Sequence, residues 1–296
     1  MSNYSHSYLE KYKQCPLSCF FSYEQHLEKI DEEKSEHHLR FGSAMHQGLE
    51  LLYRGDSLEA AHKAFKSIYT VQLDEEDKAK TIENGVNALT AYVQRWKEED
   101  KKWKIVEIET KDTFAYGDEE SFTVKLDIIA ENKDYGGIYG WDHKIVGNKK
   151  ATLSYDFWTQ FEPNSQITKY VSYIKSKYGD CSGFYINAIG MRWLQKKYLD
   201  SPAGLNLRFE RQMFNRNEQQ IKQDSDDSQY WIERIEHSRT TGRWGMNTGN
   251  CRFCEYRNIC AAGWTWETDQ ENILIQYNQR PRVTKQGEVN AIITGV

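Results

Sequence analysis

The chain has 296 residues, of which 28% are charged and 39% hydrophobic, with 9 Trp, 19 Tyr and 12 Phe but only four prolines. This composition argues against disorder, and a membrane protein is excluded because no stretch approaches the roughly 20 consecutive apolar residues of a spanning helix. The formal net charge of −5 gives no overall basic signature for nucleic acid, although a local groove can be basic on an acidic protein.

Residues 1 to 30 read as a helix entered from Ser5 or Ser7, broken at Cys15-Pro16 and resumed with Phe20, Phe21 and Tyr23, because proline disfavours helix at the residue before it. The charged run Asp31 to His38 reads as a loop or a solvated face. Phe41 to Tyr53 places Met45, Leu49 and Leu52 at helical spacing, and 57–70 and 75–99 are also helical in pattern. The period then changes. Lys104 to Tyr116 alternates, and Phe122 to Ala130 and Ile138 to Val146 are two short strand-like runs. Between them Asn132-Lys-Asp-Tyr-Gly-Gly137 carries turn chemistry, which predicts an antiparallel hairpin. Ser165 to Lys177 reads as a helix with Ser165 as N-cap and Gly179 as its stop. Strands follow at 183–191 and 205–214, then a polar helix at about 217–239. The order predicts an α/β or α+β fold around a mixed sheet.

The first residues, MSNYSHSYLEKYK, hold no apolar run, which predicts an intracellular, reducing location. There, six cysteines read as metal ligands or free thiols rather than disulfides. Cys251-Arg-Phe-Cys254 with Cys260 places three thiols at metal-binding spacing. The fourth ligand must come from Cys15, Cys19, Cys181 or a histidine, and Cys15 is favoured because Pro16 fixes a turn that presents it. Spacing does not separate zinc from an iron–sulfur cluster.

A symmetric 132–137 loop makes Asp127 and Asp142 direct cross-strand neighbours, about 5 Å apart. Lys144 shares a face with Asp142. Two such carboxylates repel, and a divalent cation of the Mg²⁺ or Mn²⁺ type relieves that. The bland alternative is a solvated, ion-paired hairpin, but the apolar neighbours Trp141, Ile145, Leu126 and Ile128 are not the pattern of a solvated face.

These residues resemble the PD-(D/E)XK nuclease superfamily in its RecB-like exonuclease branch, and in particular the iron–sulfur group of CRISPR-associated Cas-four-type exonucleases and phage relatives. The likeness runs in order: Ser5-x3-Leu9 to Cys15-Pro16, Gly42-x3-His46, Leu126-Asp127, Asp142-His143-Lys144, Gln166-x3-Tyr170 and Cys251-x2-Cys254-x5-Cys260. It implies a restriction-endonuclease-like α/β core, a central mixed sheet flanked by helices, within one elaborated domain over 1–296. Residues 1–100 would be mostly helical, 101–215 the nuclease core, and 240–263 a cluster segment that joins the cysteine-rich tail to the N-terminal part. By the resemblance, His46, Asp127, Asp142 and the carbonyl of His143 hold Mg²⁺ or Mn²⁺. Asp127, Asp142 and Lys144 are catalytic, with Gln166 and Tyr170 positioning the scissile strand. Cys15, Cys251, Cys254 and Cys260 hold a [4Fe–4S] cluster.

The function implied is a metal-dependent DNA exonuclease in recombination, repair or CRISPR adaptation-like processing. It would act on single-stranded DNA or duplex ends, in the cytoplasm (the host's, if phage-encoded), with recombination or adaptation proteins as partners. Two positions depart from the family pattern. Val124 stands where glycine is usual, and Ile145 where threonine is usual, which motivates a second reading as a catalytically weak DNA-binding subunit. Glu107 and Glu109 both lie near the site, and the sequence does not choose between them. Arg208, Arg211, Lys149 and Lys150 are candidates for phosphate contacts.

Overall fold

A computed structural model of the chain describes residues 3–30, 37–70, 78–116, 121–195 and 204–280. Most of the charged run after residue 30 falls outside them. The chain divides into two compact units, Glu33–Ser225 and the pair of segments Ser2–Glu32 with Asp226–Val296.

The first unit begins with three helices, α1 (His37–Arg54), α2 (Leu58–Ile68) and α3 (Ile82–Trp96). Ser57 and Thr81 cap α2 and α3 by accepting from backbone N–H groups three residues on. Their inward stripes, including Phe41, Met45 and Leu49 from α1, Phe65 from α2 and Leu89 and Tyr92 from α3, form one buried core with Ile189 and Met191 of the sheet.

The sheet strands of this unit are β1 (Trp103–Ala115), β2 (Ser121–Asn132), β3 (Ile138–Gly147), β4 (Gly183–Leu194) and β5 (Gly204–Phe214). β1 pairs antiparallel with β2, β2 antiparallel with β3, β3 parallel with β4, and β4 antiparallel with β5. The fold is thus α/β, a mixed sheet flanked by helices, consistent with a restriction-endonuclease-like core. A parallel pair requires a crossover, and the β3–β4 crossover contains α4 (Ser165–Tyr178). Asn164 caps α4 instead of Ser165: its side chain accepts from the Ile167 N–H at 3.1 Å, while Ser165 is already the first helical residue and its hydroxyl accepts from Lys169 Nζ at 2.8 Å.

Alternation along β3 decides which side each residue serves. Ile145 packs against the α1–α3 core, so Asp142 and Lys144 fall on the opposite face, beneath α4. Gly140, on that same face, permits the close approach: a Cβ there would stand 2.6 Å from Ile174 Cδ1 of α4. The Tyr170 ring of α4 lies 5.4 Å from Phe184 of β4. Arg216 fastens the start of α4, donating to Phe161 O at 2.7 Å and to Thr168 Oγ1 at 2.9 Å. Lys169, 2% exposed, forms a buried ion pair with Asp224 at 2.7 Å.

In the second unit, Ser5 caps the helix His6–Gln14, and Pro16 opens the next turn at its first position. The Tyr12 hydroxyl donates to Arg234 O at 2.8 Å, and Arg239 binds Glu24 at 2.9 Å and the Tyr8 hydroxyl at 2.6 Å. Leu27–Lys29 pairs antiparallel with Tyr277–Gln279. Phe21, Leu27, Tyr256, Ile259, Ile273 and Tyr277 form a small core beneath that pair. Residues from the two ends of the sequence thereby share one unit.

Candidate functional site

The β2–β3 register runs from Glu131↔Ile138 to Ile128↔Trp141, as a symmetric 132–137 loop requires. Asp127 and Asp142 follow just past the last paired residues. Asp127 turns one oxygen across the gap, where Oδ2 accepts from the backbone N–H of His143 at 2.6 Å. Its other oxygen, Oδ1, lies 3.3 Å from Nδ1 of His46, which projects from the edge of α1 beside the buried Met45 stripe.

Glu109 completes the group. On β1 it falls opposite Asp127, between the pairs Ile108↔Ile128 and Thr110↔Leu126. Its φ of 50° is left-handed, a conformation that costs a non-glycine residue of the order of 1 kcal/mol and interrupts the ladder. His46, Glu109 and Asp127 each offer one ligand atom, and these atoms all lie within 4.8 Å of one another. Glu107 is committed elsewhere, holding Thr110 at 2.7 Å, Lys177 at 2.6 Å and the Tyr178 hydroxyl. Lys125, which the sequence reading did not single out, sits 2.7 Å from Glu109 on the face it shares with Asp127.

Asp142 stands outside the close triad. Its Oδ2 lies 2.6 Å from Lys144 Nζ, the nearest counter-charge to that carboxylate. The electrostatics separate the two aspartates. Burial pushes the Asp127 carboxyl upward, but His46 and the His143 N–H outweigh it and hold it at about 2. Burial raises Asp142, and the Asp127 charge adds to that against the pull of Lys144. A cation between them would favour the ionised form of both. Burial lowers His143 to about 3, so its ring is neutral. Gln166 Nε2 donates to the Tyr170 hydroxyl at 2.9 Å. That hydroxyl is shifted well upward by burial and then by the charges of Asp142 and Asp127.

This donor set, an imidazole with clustered carboxylates, fits a divalent cation. A family model of the PD-(D/E)XK nuclease superfamily matches residues 3–261. The chain belongs to that superfamily. As a PD-(D/E)XK nuclease it has DNA as its implied substrate and divalent metal ions as the family's cofactors. Its fold resembles a solved candidate exonuclease from Eubacterium rectale, with a TM-score of 0.50 and 12% identity over 88% of each chain. A second solved structure, of SSO0001, reaches a TM-score of only 0.30 at 12% identity over 76% of this chain and 86% of that one. No curated protein matches the sequence.

Within this PD-(D/E)XK nuclease, the departures at Val124 and Ile145 are packing positions. Val124 is 3% exposed, and Ile145 is half-buried against the helical core. Of the cations expected to meet phosphate, Arg211 is excluded: it is buried between the Trp96 and Trp141 rings and paired with Asp100 at 2.5 Å. Arg208 is half-exposed and donates to Thr152 O at 2.6 Å. Lys150 is exposed, and the side chain of Lys149 lies outside the described residues.

The second unit brings Cys15, Cys251, Cys254 and Cys260 around one cavity of about 310 Å³. The Asn247 N–H donates to Cys15 Sγ at 3.4 Å. Burial raises the Cys260 thiol, and so does the proximity of Cys254, Cys15 and Cys251, the mutual repulsion that four thiolates around a metal or cluster would lose. Cys19 is fully buried against Tyr8 O and, like Cys181, does not line the cavity. Among the described residues no helix is long and apolar enough to cross a membrane.

Proposed function

We propose that this PD-(D/E)XK nuclease is a Mg²⁺- or Mn²⁺-dependent DNA exonuclease of the RecB-like, iron–sulfur branch. It would act on single-stranded DNA or duplex ends in cytoplasmic recombination, repair or CRISPR adaptation-like processing. The observation that carries the reading is the convergence of His46, Glu109 and Asp127 beside the Asp142–Lys144 pair. The likeness to the Eubacterium rectale candidate exonuclease adds support for exonucleolytic action.

His46, Glu109, Asp127 and Asp142, with the carbonyl of His143, would hold the cation. When bound, such an ion supplies Lewis-acid polarisation of the scissile phosphate and lowers the pKa of an attacking water. Lys144 orients that water and offsets the charge that develops on the phosphate. Gln166 and Tyr170, linked through their hydrogen bond, position the scissile strand. Binding rests on phosphate contacts and weakens as salt rises. In the second unit, Cys15, Cys251, Cys254 and Cys260 would hold a [4Fe–4S] cluster, a reading supported by their shared cavity.

The test is degradation of end-labelled single- and double-stranded DNA with Mn²⁺. Wild type is expected to degrade at least one of them, and Asp142→Ala neither. An inert wild type, or a fully active Asp142→Ala, refutes the nuclease mechanism. Iron and acid-labile sulfide are expected in anaerobically purified protein, and colourless protein with stoichiometric zinc would refute the cluster.

A further inference from the structure

Behind His143, on the α1–α3 side of the sheet, lies a polar network that reaches the His143 ring. Asn187, at the matching register position on β4, bridges His143 Nδ1 at 2.9 Å and the Tyr92 hydroxyl. The Tyr92 hydroxyl meets the Tyr53 hydroxyl at 2.5 Å, and both accept from Arg211 Nη2, at 3.1 and 3.0 Å. Arg211 is clamped between rings, 3.9 Å from the centroid of Trp96 and 4.5 Å from that of Trp141, and its Nη1 donates to Asp100 at 2.5 Å. The Tyr53 ring also stacks on the His143 imidazole, 5.6 Å away and tilted by 23°. Asn187, His143 and Tyr92 are all at most 2% exposed, so none of them meets substrate.

The backbone of His143 is what this network can control. In a strand the N–H and C=O of one residue point to the same edge. The His143 N–H points at Asp127, past the end of the β2–β3 ladder, so its carbonyl faces the same opened edge. No β2 residue pairs with His143 in that ladder, while the β3–β4 ladder runs through His143↔Asn187 and holds the strand from its other edge. The imidazole adds a second hold on this residue from behind the sheet, through the side chain of that same Asn187.

We propose that Asn187, Tyr92 and Arg211 are positioning residues that act through the His143 ring. They fix the His143 N–H on Asp127 and the His143 carbonyl toward the cation, and so set metal affinity from behind the sheet. The inference rests on the metal-site reading above. Groups that orient metal ligands in this way typically change metal affinity by about 10- to 100-fold when removed.

The test is titration of the full-length, metal-stripped protein with Mn²⁺, followed by electron paramagnetic resonance, together with thermal unfolding without metal. Tyr92→Phe keeps the ring and removes the shared hydroxyl. Asn187→Ala removes the bridge. Both are expected to raise the Mn²⁺ Kd about tenfold or more. A purely structural role would lower the unfolding temperature and leave Kd within twofold of wild type, which overturns the proposal. If Asn187→Ala does not fold, Tyr92→Phe decides alone. Asp127→Ala separates the two levels. A wild type that binds no Mn²⁺, or an Asp127→Ala that binds it normally, overturns the metal site itself. Loss of binding in Asp127→Ala with a wild-type Kd in Tyr92→Phe overturns only the positioning role.

Discussion

Replacing Lys144 with glutamine removes the ammonium that stands 2.6 Å from Asp142 Oδ2 while keeping most of the side chain's reach. Two unit charges at that distance attract by about 6 kcal/mol at an effective dielectric of 20. With 33% of the lysine side chain exposed, solvent screens part of this, and about 3 kcal/mol is a reasonable remainder. Asp142 is already raised by burial, with the Asp127 charge adding to it. Without Lys144 it rises further and keeps its proton to higher pH. A protonated carboxyl does not ligate a cation, so Lys144→Gln is expected to bind Mn²⁺ more weakly than wild type in mildly acidic buffer. The deficit should shrink as rising pH removes the proton. Cleavage measured at saturating Mn²⁺ should not recover, because the group that orients water and offsets charge is gone. A loss of roughly 10²- to 10⁴-fold is expected at every pH. Mn²⁺ titrations and single-turnover cleavage of an end-labelled duplex, run over the same pH series, separate the two effects. A variant that cleaves at the wild-type rate, or whose cleavage recovers in step with its metal binding, refutes the role given to Lys144.

Glu109→Gln is expected to weaken Mn²⁺ binding by tenfold or more, while Glu107→Gln leaves it unchanged, because Glu107 is occupied by Thr110, Lys177 and Tyr178. Isothermal titration of both variants checks the contrast, and the reverse ranking would reassign the ligand. Cys260→Ala should lose iron, sulfide and visible absorbance, and Cys19→Ser should retain all three, since Cys19 does not line the cavity. Gly190→Ala would place a Cβ 2.3 Å from the Ala151 carbonyl oxygen, a backbone atom that cannot swing aside. A cost of about 1–3 kcal/mol is expected, at roughly 2–4 °C of Tm per kcal/mol, read by thermal unfolding. An unchanged Tm would mean that the crossover after β3 yields more easily than its packing implies.

Much of the first unit could be read locally. The stripe of Phe41, Met45 and Leu49, the turn residues 132–137 and the alternation through Asp142 and Lys144 each depend on neighbours within a few positions. Their consequences, an amphipathic helix, the β2–β3 register and the shared face, follow from fixed helical and strand periods. The same holds for Ser5 and for Pro16, whose effects end within one turn.

Three features were decided by tertiary structure. Glu109 rather than Glu107 joins His46 and Asp127 because it falls opposite Asp127 along the β1–β2 ladder while Glu107 falls opposite Ile129, and its left-handed backbone is a feature that no residue pattern announces. Arg211 resembles any strand arginine available to DNA, yet Trp96, Trp141 and Asp100 enclose it, and all three are distant in sequence. The four cysteines announce themselves by spacing at one end of the chain only. Pairing of 27–29 with 277–279 in the second unit accompanies the placement of Cys15 with the other three. Sequence determines what each residue is able to bind through its chemistry and its local period. Which partner it meets depends on long-range packing, because a buried charge or thiol is tolerated only where the fold supplies its complement.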